Sequence, residues 1–109
     1  MRNLEVMHGV TKKDLANMVT SESLESVAGS TIKVKGVAIG MDKDQDGKDV
    51  RCGYLLSEDT IYSTISETAI RSIEMYPEIM EEENLAELEV VVSKRSAKSG
   101  RDFLVLFVK

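Results

Sequence analysis

Three carboxylates raise the first chemical question. Asp42, Asp44 and Asp46 alternate within "MDKDQDGKDV", Met41 to Val50, and Gly47 follows at once. Alternating aspartates with a glycine at the sixth position open an EF-hand loop, where side-chain oxygens hold a hard cation. The twelfth position of such a loop needs a bidentate glutamate, and Gly53 stands there. Helices should flank it, yet "TIKVKGVAIGM" and "VRCGYLL" carry the character of strands. Asp46-Gly47 is instead a hairpin-turn dipeptide, and short charged side chains suit an exposed tip. The stretch is therefore read as the tip between two strands, with weak cation binding as the lesser alternative.

A second set of residues carries positive charge. The net charge is −5, which argues against a surface basic all over. The charge is nonetheless segregated. Residues 65–84 hold one basic and six acidic residues, whereas "SKRSAKSGR" holds Lys94, Arg95, Lys98 and Arg101 with no acid. Binding a single nucleic-acid strand requires cations along the backbone and flat faces for the bases. Ile32 and Val34 alternate with Lys33 and Lys35, so an inward Ile32 puts both lysines outside. Arg51 has the opposite parity to Val50, Cys52 and Tyr54 and is expected to face outward too. For stacking, Tyr62 is expected on the outer face if Ile61 is core, and Phe103 follows the basic loop directly. Taken singly, each of these residues is more simply a solvated lysine, a soluble turn or a core aromatic. Their convergence on one groove is what favours a phosphate-binding reading.

Other chemistries find little support. One cysteine and one histidine make neither an internal disulfide nor a structural zinc site. Cys52 lies in an apolar strand, where an inert buried thiol is the common case. His8 falls in an N-terminus expected to be mobile. With no second histidine and no acid pair, the chain is not expected to be an enzyme, and no cofactor is expected. No apolar run approaches membrane-spanning length, and the N-terminus lacks an apolar signal core. An intracellular, cytoplasmic protein without a membrane partner is the expectation.

The elements that must position these residues follow from pattern. The 109 residues suffice for one domain with a modest core. Residues 1–30 are read as an N-terminal helical extension, with Thr11 and Asp14 as a capping box and Gly29 as terminator. Residues 31–109 are read as one β domain. In its first strand the apolar parity flips at Gly36, which predicts a bulge or sharp bend. "DVRCGYLLS" returns, "EDT" turns, and "TIYST" is the third strand. Thr64 and Glu67 suggest a second capping box. Ala69, Ile70, Ile73 and Tyr76 fall at helical spacing, and Pro77 is expected to end or kink that helix or open another. "AELEVVVSK" and "RDFLVLFVK" close the domain as a hairpin. The last strand is apolar on both faces and is expected to be covered twice, by the core and by the N-terminal helix or a second subunit.

Strand, strand, strand, helix, strand, strand is the order of the OB-fold, a five-stranded Greek-key barrel that binds oligonucleotides and oligosaccharides. The stretches "TIKVKGVAIG", "TISETAIRSIEMY" and "EVVVSKRSAKSGRDFLVLFV" carry this likeness. The last resembles the closing hairpin of small single-stranded DNA-binding proteins of phage or mobile-element type, in which a basic loop lies beside the DNA groove. The resemblance implies sequence-independent binding of single-stranded DNA in replication or recombination, with a homo-oligomer or a replication or recombination protein as possible partners. The alternative is a non-catalytic protein-interaction module, or phage accessory protein, acting through the acidic helix and the last strand.

Overall fold

The computed structural model describes residues 4–109. The domain is β-rich, with two sheets and two helices. Strand β1 spans Leu4–His8, helix α1 spans Lys12–Asn17, and β2 is the two-residue Glu22–Ser23. Then come β3 (Thr31–Val34), β4 (Gly36–Lys43), β5 (Asp49–Leu56), β6 (Ile61–Thr64), helix α2 (Glu67–Glu82), β7 (Leu88–Ser96) and β8 (Asp102–Val108). One sheet has the order β1-β4-β5-β6-β2 and the other β3-β7-β8. No described helix is long and apolar enough to cross a membrane.

The bend expected at Gly36 is where the chain changes sheets. The single long strand of the sequence reading is thus two strands, β3 and β4, and six strands rather than five follow residue 30. A Cβ on Gly36 would lie 2.5 Å from the carbonyl oxygen of Gly9, so only glycine lets the two backbones touch here. Lys35 N–H donates to the Leu56 carbonyl at 2.8 Å, tying the corner to β5. Between the sheets lies the main core, with Val34, Val37, Ile39, Leu55, Val90 and Val92 from the strands. Helix α2 adds Ala69, Ile70, Ile73, Tyr76 and Met80 to it. The helix sits close over Gly53, where a Cβ would meet the Ile73 and Ile70 side chains at 2.9 and 3.1 Å.

Several expectations need correction. The first thirty residues are not simply helical: Leu4–His8 pairs antiparallel with β4, so His8 stands in a strand opposite Val37 rather than in a loose terminus. Thr11 does cap α1, with both bonds of the capping box formed to Asp14. Thr64 does not cap α2. It ends β6, its hydroxyl accepts the Ser66 N–H at 3.0 Å, and Ser66 is the N-cap residue. Pro77 neither ends nor divides α2. A proline there removes one intrahelical hydrogen bond, but the buried stripe from Ala69 to Met80 holds both halves against the sheets. The Asp42–Lys48 segment is the hairpin tip anticipated, with Gly47 at φ 79° and the Asp44 carboxylate accepting the N–H groups of Asp46 and Lys48, each at 2.9 Å. Among the described residues no three acidic, histidine or cysteine side chains gather as a metal site.

Two stability measurements follow. Gly36→Ala is expected to lower stability by about 1–3 kcal/mol through overpacking against Gly9, read by denaturant unfolding. Among the described residues the buried Tyr76 hydroxyl has no hydrogen-bond partner, and burial pushes its pKa up to about 12. A tyrosine raised in the folded state stabilises fully below its unfolded value near 10, and that contribution is lost as pH rises through 12. Tyr76→Phe is therefore expected to gain about 1 kcal/mol at neutral pH and to flatten the alkaline loss of stability.

Candidate nucleic-acid interface

The three-stranded sheet buries one face and leaves the other open. Ile32, Val34, Leu88, Val90, Val92, Leu104 and Leu106 point into the core. Strand alternation puts Thr31, Lys33, Glu89, Val91, Ser93, Arg95, Phe103, Val105 and Phe107 on the outer face. Nothing among the described residues covers it. Phe107 is 45% exposed, while Phe103, Val91 and Val105 are half-buried. The N-terminal helix expected to give the last strand its second cover does not do so, because the N-terminal segment packs on the other sheet.

Arg95 stands opposite Phe103 in the β7–β8 register. Its guanidinium lies 5.5 Å from the centre of the Phe107 ring, within cation–π range. A flat cation resting on an exposed ring is a pairing that suits a nucleotide, offering charge to a phosphate and a π-face to a base. Lys33 is exposed on β3 of the same face, directly across from Glu89. Lys98 and Arg101 are exposed in the hairpin that joins β7 to β8, which is closed by Ala97 N–H to the Arg101 carbonyl at 2.8 Å. Lys33, Lys98 and Arg101 make no ion pair among the described residues.

The other cations anticipated from sequence are already engaged. Arg51 Nε donates to Glu5 at 2.9 Å and its Nη1 to Glu74 at 2.7 Å. It joins β5, β1 and α2, and these partners hold its pKa above the ordinary value. Lys94 meets Glu25 at 2.7 Å and Asp102 at 3.3 Å, contacts that raise its pKa. Asp102 is held below the usual carboxylate range by the Ser96 hydroxyl first and Lys94 second. Lys35 lies 3.5 Å from Asp14. Burial pushes Asp14 upward, but the Thr11 backbone and hydroxyl and Lys35 together bring it below its ordinary value.

Tyr62 does not face outward. It stands opposite Leu55 and packs half-buried against the main core, while Ile61 packs on the far side of the sheet. The parity argument assumed that only one face of this sheet is buried. In fact both are, because Met18, Leu15, Val10 and Leu4 cover Ala38, Cys52, Tyr54 and Leu56 from outside. The residue that sequence reasoning passed over is Phe107. It shares the parity of Phe103, so the signal was present, but an uncovered outer face was needed to give it meaning.

Arg51 is expected to act as a clamp rather than as a phosphate ligand. Arg51→Ala and Glu74→Ala should each lower the melting temperature, and the double variant should lose less than the sum of the two. That coupling should shrink in high salt, as expected of half-exposed ion pairs. Compared with family models, curated proteins and solved structures, the chain matches none.

Proposed function

We propose that this chain binds single-stranded DNA without sequence preference, through the outer face of the β3-β7-β8 sheet and its basic hairpin, as a non-catalytic factor in replication or recombination. The observation that carries the reading is the Arg95–Phe107 pair on an uncovered sheet face, with Lys33 on the same face. The element order after residue 30, and the strand that bends from one sheet to the other at Gly36, support an OB-like barrel as the scaffold. Net charge −5 sits mostly elsewhere, above all on the acidic end of α2. That separation restrains non-specific contact with duplex while the open face stays locally basic.

A second reading has its own observation. Phe107 and Val108 are exposed apolar residues on the last strand, and α2 ends in Glu81 and Glu82 before Glu83. Those features suit a protein-interaction module, which would give a stable complex or homodimer and no DNA binding.

Fluorescence anisotropy with labelled oligo(dT) across a salt series separates the two. Four unpaired cations, Lys33, Arg95, Lys98 and Arg101, predict a log–log salt slope of about −3, against about −5 if all seven anticipated cations met phosphates. Phe107→Ala should weaken binding about tenfold through lost stacking, Arg95→Glu should weaken it further, and Arg51→Ala should leave it unchanged. Absence of binding at micromolar protein and low salt, with a dimer mass by light scattering, would replace this reading with the second.

A further inference from the structure

Among the described residues, β6 and β8 belong to different sheets and do not pair. The edge of β6 is taken by β2 over only two residues, Glu22 opposite Tyr62 and Ser23 opposite Ser63. Strand β8 pairs with β7 alone, and its Leu104 N–H reaches across to the Ser66 hydroxyl at 3.4 Å. Between them lies an open groove of about 1030 Å³, large enough for a nucleotide by the usual range of small-molecule clefts.

The lining is distinctive. Ile65, 62% exposed, and Phe103 both line the groove, so it offers apolar surface. Hydroxyls line it too, among them Ser63, Ser66 and Ser99, as does Arg101. The lining carries three acids, Glu25, Glu67 and Asp102, against two cations, Lys94 and Arg101, and Lys94 is paired with both Glu25 and Asp102. A hydroxyl-lined slot with apolar surface and no excess of cations recognises a flat polar ring and its sugar rather than a bare anion. Phe103 belongs both to this slot and to the outer sheet face, which makes the two surfaces continuous.

We propose that this groove seats one nucleotide of the bound strand, its base on Ile65 and Phe103 and its sugar–phosphate against the serine hydroxyls and Arg101. The proposal rests on the single-strand binding reading above and adds to it a second contact that does not depend on an excess of positive charge. The strand then passes from Phe107 and Arg95 over the edge of β8 into the groove.

The test uses the full chain and oligo(dT) bearing 5-iododeoxyuridine. Ultraviolet crosslinking followed by tandem mass spectrometry is expected to find adducts on groove residues off the sheet face, in the segment 63–68, as well as on Phe107. Thr68 is exposed on the groove wall, so Thr68→Trp should fill the slot while the circular dichroism spectrum is unchanged. It and Ile65→Ala should each weaken oligo(dT) binding about fivefold with the salt slope unaltered, whereas Arg95→Glu should change the slope. Adducts confined to Phe107 and its neighbours, with Thr68→Trp binding as tightly as the parent chain, would overturn the groove and leave the sheet-face interface standing. Failure of the parent chain to bind at all would overturn both.

Discussion

The close approach of Gly9 and Gly36 is the constraint on which the rest of the structure depends. At that contact the chain passes from one sheet to the other, and β1 lies alongside β4 just before it. A side chain at Gly36 would push the two backbones apart and open the corner between the sheets. Because the corner is tight, the inner faces of β3 and β4 both look onto one core, and α2 closes its remaining side. Burial of the α2 stripe is then strong enough that Pro77 is carried within the helix rather than ending it.

The same corner determines which surfaces are left for function. It brings the N-terminal segment onto the five-stranded sheet, where Met18 is almost fully buried against Tyr54, Leu56 and Cys52. That sheet is consequently apolar on both faces and has no open side to offer. The three-stranded sheet receives no such cover, and its outer face keeps Phe107, Arg95 and Lys33 in contact with solvent.

Ion pairing divides the cations in a similar way. Arg51 and Lys94 each stand between two carboxylates from different elements, and Lys35 stands beside Asp14. Exposed pairs of this kind contribute modestly to stability, but they neutralise the charge that a phosphate would otherwise meet. Of the seven cations anticipated from the sequence, those outside such pairs, Lys33, Arg95, Lys98 and Arg101, lie on the open face or in its hairpin.

Much of the architecture was legible in local chemistry. The parity flip at Gly36, the Asp46-Gly47 tip, the Thr11–Asp14 capping box and the apolar spacing of α2 each depend on a few neighbouring residues, and all formed as their types require. What the sequence could not decide was which faces would be covered. Tyr62 and Ile61 differ only in parity, and parity identifies the inner side only when one side is solvent. Whether Arg51 or Arg95 stays available depends on two acids distant in sequence, Glu5 and Glu74, in one case and on an aromatic ring on the adjacent strand in the other. Residue types and spacing thus determined most of the strands after residue 30, the turns and the supply of charge. Only the packing of distant segments decided which charges and which rings face outward, because burial and ion pairing are properties of neighbours in space.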